Sequence, residues 1–319
     1  MFVDMPLAQL RDYLPAREEP GDFDAFWQRT LEQARSHELD ARFERIETEI
    51  VTAHVHDVTF NGFGGHPIKA WLLTPVSGPA PCVIEYQGYG GGRGLPVDWL
   101  AWPSFGYAVL AVDSRGQGAG GWRRGDTPDP HPGSGPTTPG VMTSGILDPG
   151  QHYYRRLYTD AARAVEAARA HPAITRIAVS GGSQGGGIAL AAAALTGDVD
   201  LALIDVPFMQ HIRHAVDITA EYPYQELAVY CKAFKDQVEQ VFQTISYFDG
   251  LNFAARATAP ALYSVALRDG ITPPSTVFAS FNHYAGADKE IEVYPYNGHE
   301  GGESTHLLAK VRKARKVLE

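Results

Sequence analysis

The stretch Ile177-Ala-Val-Ser-Gly-Gly-Ser-Gln-Gly-Gly-Gly-Ile188 decides how this chain is read. It opens on an apolar run and leads into an alanine-rich one, so a strand, a tight turn and a helix are predicted in that order. Ser183 sits at the centre of Gly181-x-Ser183-x-Gly185. A turn this sharp holds its serine in a strained backbone conformation, and the flanking positions must be small for strand and helix to pass closely. The turn also puts Ser183 at the positive end of the following helix, where backbone N–H groups lack partners. Ser183 is therefore a candidate nucleophile, and its hydroxyl needs a neighbouring base to take its proton.

Outward from the turn, apolar strands alternate with helices. Residues 82–86, 107–112, 177–179, 201–204, 262–267 and 291–294 read as buried strands, and 158–170, 184–195 and 304–318 as helices. That alternation predicts an α/β protein with a mostly parallel central sheet and helices on both faces. Upstream, Ile46-Glu-Thr-Glu-Ile50 and Ile68-Lys-Ala-Trp-Leu-Leu73 alternate, and Asn61-Gly62 between them is a turn signal. These segments predict an antiparallel N-terminal extension of the sheet. Phe23, Phe26, Trp27 and Leu31 recur at helical spacing behind Asp22 as N-cap, which makes residues 1–40 a helical arm.

Two stretches break the alternation. Residues 118–150 are rich in Gly and Pro without period, which predicts a long ordered loop serving an interface. Residues 208–255 are helical and aromatic-rich and fall between two sheet strands, as a cap insertion would. With no internal repeat or low-complexity linker, a single domain over 1–319 with one insertion is expected.

The strand ends nominate partners for the serine. In the order Ser, acid, His, Asp269 follows the apolar run 261–267, and His299 follows Ile291-Glu-Val-Tyr294. Each would stand on a loop at the carboxyl edge of the sheet. His283 and His306 fall within predicted helices and Asp288 precedes a strand, so spacing favours them less.

Other chemistries find little support. Gly116-Gln-Gly-Ala-Gly-Gly121 matches a dinucleotide-binding pattern, but Trp122-Arg-Arg-Gly-Asp-Thr-Pro128 does not start the helix that such a site needs. His54 and His56 share a strand face without a third metal ligand, so a structural role is expected and no metal. A net charge of -10 argues against nucleic acid as partner. Two cysteines, Cys82 and Cys231, make no disulfide framework. Residues 1–19 lack the pattern of a secretory signal, and the longest apolar run, 188–195, is too short to span a membrane. A cytoplasmic protein without membrane contact is expected.

At this point the residues resemble the acetyl xylan esterase and cephalosporin C deacetylase family of carbohydrate esterases. Its three diagnostic motifs stand in order as Arg115-Gly-Gln-Gly118, Gly181-Gly-Ser-Gln-Gly185 and His299-Glu300. Tyr86-Gln-Gly-Tyr-Gly-Gly-Gly-Arg93, Gly145-Ile-Leu-Asp-Pro149, Tyr153-Tyr-Arg-Arg156 and Asp269-Gly-Ile-Thr-Pro-Pro-Ser-Thr276 also look like the family. So do Ser246-Tyr-Phe-Asp-Gly250 and Asn252-Phe-Ala-Ala-Arg256, and the similarity runs from about residue 22 to the C-terminus.

The resemblance implies an α/β-hydrolase fold and a triad of Ser183, Asp269 and His299. It implies an oxyanion hole made by the backbone N–H groups of Tyr89 and Gln184, with Arg115, Gln117 and Glu300 as structural supports near the site. It further implies hydrolysis of acetyl esters of small substrates, such as acetylated xylo-oligosaccharides and cephalosporin C, through an acetyl-enzyme. No cofactor is implied, and the partner besides substrate is further copies of the chain, in a hexamer. Two positions depart from the family pattern. Thr272 stands where Cys is expected, which should alter packing and leave the triad alone, and Gly90 stands where Asn is commoner. The rival readings are a serine peptidase or longer-chain esterase on the same fold, and a catalytically silent scaffold.

Overall fold

A computed structural model of the chain describes residues 4–120, 122–131 and 135–319. The strands are β1 (Arg42–Ile46), β2 (Ala53–Asn61), β3 (Pro67–Pro75), β4 (Ala80–Tyr86), β5 (Ala108–Val112), β6 (Ile174–Gly182), β7 (Leu201–Asp205), β8 (Ala261–Ala266) and β9 (Lys289–Tyr294). They form one sheet in the order β1-β2-β3-β5-β4-β6-β7-β8-β9. Strands β1, β2, β3 and β5 pair antiparallel in succession. From β5 through β4 to β9 every pairing is parallel. The mostly parallel sheet and its antiparallel N-terminal extension are both present.

The helices are α1 (Leu7–Arg11), α2 (Phe23–Arg35), α3 (Ala101–Ser104), α4 (Tyr153–Ala170), α5 (Gln184–Thr196), α6 (Ile212–Ile218), α7 (Tyr224–Ala233), α8 (Val238–Ser246), α9 (Gly250–Ala254), α10 (Pro274–His283) and α11 (Glu303–Leu318). One hydrophobic core joins α2, α4, α5, α9 and α10 to the sheet through residues such as Trp27, Leu157, Leu190, Phe253 and Val277. The other joins α3 and α11 to the opposite face through Trp102, Val83, Leu203 and Val311. A strand buried on both faces has no polar side to present, which is why β4, β5 and β8 read as continuous apolar runs.

Two sequence readings change. The alternating Ile46–Ile50 segment is where β1 ends: Ile46 pairs with Val55, and residues 47–52 turn the chain toward β2. Thr48 Oγ1 takes the Ile50 N–H at 3.2 Å, a local bond that competes with the ladder. Asp22 occupies the N-cap position of α2 without a side-chain cap bond, because its carboxylate faces the Tyr247 hydroxyl and Arg29. His54 takes part in a 3.0 Å contact with Arg45, and the His56 ring lies edge-on to His171.

Between β5 and α4 the described residues hold no helix or strand. Gly121, the last glycine of the dinucleotide-like pattern, and residues 132–134 of the long loop lie outside the described residues, as do residues 1–3 of the arm. Between β7 and β8 the chain forms α6, α7, α8 and α9.

Candidate active site

Ser183 joins β6 to α5 with φ 57 and ψ -122, a conformation that side-chain-bearing residues rarely hold. Two glycines make this turn sterically feasible. A Cβ on Gly181 would lie 2.4 Å from the Gly185 carbonyl carbon, and one on Gly185 would lie 2.2 Å from the Tyr86 carbonyl oxygen. The turn is then tied to the next strand: Ser183 N–H donates to the Asp205 carbonyl at 3.0 Å, and the Ser183 carbonyl accepts from Phe208 N–H at 2.8 Å.

Asp205 is itself clamped from the last helix. Its carboxylate accepts Lys310 Nζ at 2.6 Å and contacts His306 Nε2 at 2.8 Å. Lys310 also donates to Ser180 Oγ on β6 at 3.2 Å. Burial alone would raise the Asp205 pKa, but the positive charge of Lys310 and the contact with His306 hold it down at about 2.

Asp269 follows β8 and is fully buried. Its Oδ2 meets His299 Nδ1 at 2.8 Å, while Oδ1 accepts the N–H groups of Ile271 at 2.8 Å and Thr272 at 2.9 Å. The Thr272 hydroxyl lies 2.7 Å from Oδ2 as well. Thr272 is thus more than a packing change, since it bonds the carboxylate that faces the imidazole. His299 follows β9 on a turn where the Glu300 carboxylate accepts Gly298 N–H at 3.1 Å and Asn297 Nδ2 at 3.1 Å. Its own backbone N–H, together with those two donors, keeps Glu300 below the usual carboxylate range.

Ser183 and His299 line one cavity of about 640 Å³, whose wall includes Tyr89, Trp99, Trp122 and Tyr222. Aromatic faces beside a few polar groups are the usual composition of a small-molecule site. His306 and Asp205 reach the same cavity, whereas His283 lies away from it on α10, with its ring 2.7 Å from the Pro15 carbonyl. Asp288 pairs with Lys313, further along α11, and does not line the cavity.

On the other side of Ser183, Gln184 is the first residue of α5, so its N–H has no partner within the helix. Tyr89 lies in the loop after β4 and borders the cavity. Gln117 connects the two: its Oε1 accepts Gly90 N–H at 2.6 Å and its Nε2 donates to Gln184 Oε1 at 3.0 Å. Gly90 has φ 76, a left-handed conformation that Gly and Asn tolerate best, which accounts for the alternation of those two residues there. Arg115 is fully buried and grips Asp160 of α4 with two nitrogens, at 2.5 and 2.7 Å, and its carbonyl accepts the Tyr153 hydroxyl. It does not line the cavity. Among the described residues, no group of three or more His, Cys, Asp or Glu could hold a metal ion.

Sequence reasoning missed two groups here. Glu226 on α7 accepts the Tyr89 hydroxyl at 2.6 Å, and Asp205 anchors the serine turn. Neither carries a local motif, since each acts on a residue far away in the chain.

The acetyl xylan esterase (AXE1) family profile matches residues 1–315. An acetyl xylan esterase from Paenibacillus sp. R4 superposes with a TM-score of 0.93 at 40% identity, over 98% of this chain and 100% of that one. Acetyl xylan esterase 1 from Thermoanaerobacterium sp. JW/SL YS485 gives 0.88 at 33% identity, over 96% and 97% of the two chains. Acetyl esterase Axe7A of Xylanibacter ruminicola is 24% identical over 295 residues, which are 89% of this chain and 64% of that protein's length. The fold is that of the α/β-hydrolases, and the chain belongs to the acetyl xylan esterase family, a family of carboxylic ester hydrolases.

Proposed function

We propose that the protein is a serine esterase that removes acetyl groups from small substrates, acetylated xylo-oligosaccharides and cephalosporin C among them. The observation that carries this reading is the 2.8 Å contact of His299 Nδ1 with buried Asp269, on the wall of the cavity that Ser183 enters from a strained turn.

With Nδ1–H donated to Asp269, Nε2 of His299 is free to take the Ser183 proton as Oγ attacks the acetyl carbonyl. The N–H groups of Tyr89 and Gln184 hold the tetrahedral oxyanion, each worth about 3 kcal/mol to the transition state. His299 then passes its proton to the departing alcohol oxygen as that C–O bond breaks, which leaves the acetyl-enzyme. Water attacks the acetyl-enzyme with His299 again as base, acetate leaves, and Ser183 regains its proton. Asp269 keeps the imidazole in the required tautomer and stabilises its charged form. The scheme uses no metal or organic cofactor.

Ser183→Ala should lose nearly all hydrolysis of p-nitrophenyl acetate, and near-native activity in that variant would end the proposal. An acyl series tests the esterase or peptidase rivals: acetyl should exceed butyryl and octanoyl, and a preference for the long chain would favour a lipase-like site. Labelling of Ser183 by a fluorophosphonate separates an enzyme from a silent scaffold. The expected assembly is a hexamer, with residues 118–150 and helices α6 to α9 as interface and access elements, and light scattering on the eluted protein measures it. The expected compartment is the cytoplasm, in keeping with free Cys82 and Cys231. Among the described residues, no helix is long and apolar enough to cross a membrane.

A further inference from the structure

Glu226 is an unusual residue to find at the centre of a packing junction. Only 2% of it is exposed, and no cation accompanies it in an ion pair among the described residues. Taking a carboxylate out of water without a counter-charge is costly, and a core position far from any function would gain by losing it. Its two oxygens are both occupied. Oε1 accepts the Tyr89 hydroxyl at 2.6 Å, and Oε2 accepts Met142 N–H at 3.0 Å. The Tyr89 hydroxyl in turn accepts Val141 N–H at 2.7 Å. Gly140 lies against the same carboxylate, where an added Cβ would sit 2.1 Å from Oε1. One side chain from α7 therefore joins the long loop at Val141 and Met142 to the phenol of Tyr89.

We propose that Glu226 is a positioning residue of the esterase site: by holding the Tyr89 phenol it fixes the loop backbone, and so aims the Tyr89 N–H at the oxyanion. This rests on the reading above, in which that N–H is an oxyanion donor. The chemistry singles out a carboxylate. An ionised Glu accepts on both oxygens, as Tyr89 and Met142 require, whereas Gln offers one acceptor and would turn its NH₂ toward one of the two donors. Leu or Met would fill the space and leave the phenol proton without an acceptor.

Burial pushes Glu226 up to about 7. The groups that face it are the Tyr89 phenol from the loop after β4, the Tyr154 phenol from α4, and the Met142 N–H from the long loop. A proton added to the carboxylate competes with one of its two donors, so the aligned state is the ionised one. The alignment is lost as pH falls below about 7.

The test is a double-mutant cycle of Glu226→Gln and Tyr89→Phe, read as kcat and KM on p-nitrophenyl acetate across pH, with fluorophosphonate labelling of each protein. Tyr89→Phe keeps the backbone N–H and removes only the held hydroxyl. Loss of a whole oxyanion donor costs about 10²-fold or more, so misaiming one should lower kcat about tenfold in each single variant, with KM nearly unchanged. The double variant should be little worse than either single, because the two groups act as a unit. Glu226→Gln should also lack the component of the wild-type acid limb that falls below about pH 7. Additive losses, or an unchanged kcat with a lowered melting temperature, would show that Glu226 only ties α7 to the loop. If Glu226→Gln does not fold, an unchanged kcat in Tyr89→Phe overturns the inference by itself. Failure of the wild-type protein to label at Ser183 would instead remove the esterase reading beneath it.

Discussion

Two loops flank Ser183, and they are held by opposite means. The loop after β8 that carries Asp269 is held around its carboxylate from within: three of the donors there, the N–H groups of Ile271 and Thr272 and the Thr272 hydroxyl, come from within three residues, while Thr219 and Val206 tie the loop to distant chain. The loop after β4 that carries Tyr89 depends on distant chain. Gly90 is bound by a residue 27 positions away, and the Tyr89 hydroxyl by partners 52 and 137 positions away. The bonds from Ile271 and Thr272 to the Asp269 carboxylate can form as soon as that turn closes. The oxyanion side forms only when the long loop and the helices between β7 and β8 have docked. Local unfolding of those peripheral elements should therefore impair oxyanion stabilisation before it disturbs the Asp269–His299 pair.

Substitutions can break this contrast in a graded way. The largest effect is expected from Asp269→Asn, which keeps the shape but reverses the imidazole tautomer; kcat should fall about 10⁴-fold with the fold intact by circular dichroism. Gln117→Ala comes next. It releases Gly90 N–H and Gln184 together, and kcat for p-nitrophenyl acetate should drop about 10–100-fold. Fluorescence of Trp122, which packs against Gly88 and Gly91, should report loosening of that loop and not of the acid side. Thr272→Val removes one of the four groups on Asp269 and should cost about 1 kcal/mol, a several-fold loss of kcat, whereas Thr272→Ser should retain most activity. If Thr272→Val has wild-type kinetics, the acid loop does not depend on its own hydroxyl.

The smallest effects are on stability against pH, and the two sides differ in sign. Glu226 has a folded pKa of about 7 against an ordinary 4.5, so its contribution is complete below about 4.5 and is lost as pH rises through 7. Melting temperature should therefore fall more between pH 5 and 8 in the wild type than in Glu226→Gln. Asp205 is depressed from 3.8 to about 2, so its contribution is present above about 4 and disappears as pH falls through 2. Acid unfolding of Asp205→Asn should lack that component.

Much of this could be read from the chain itself. The turn at Ser183 is written in consecutive residues, because the glycines that permit it and the strand and helix that create it are neighbours. Asp269 and His299 were legible because each follows a strand of the parallel sheet, where loop residues gather at the carboxyl edge, although β9 before His299 is a half-exposed edge strand and not the buried one expected at 291–294. Their separation by β9 and α10 did not obscure them, since topology brings strand ends together regardless of sequence distance. Glu226 and Asp205 were not legible. Each acts through one hydrogen-bonded intermediary, Tyr89 or the Ser183 N–H, and nothing in their own neighbourhoods marks the link. Thr272 was visible as a departure from the family pattern, yet its role depends on where one hydroxyl points, which spacing does not encode. The misplacement of β1 has a similar origin: alternation at 46–50 looked like a strand, and a single Thr48 side chain bonding its own backbone turned it into the exit from one.

The clamp on Asp205 has a consequence for the order of synthesis. Ser183 is made a little past the middle of the chain, but the side chains that secure the strand beneath it, His306 and Lys310, belong to α11, which ends at Leu318 of 319 residues. A ribosome-bound chain can display the serine turn long before it possesses the helix that locks it. A truncation that removes only α11 should therefore leave Ser183, Asp269 and His299 in the chain while loosening the turn on which the serine stands.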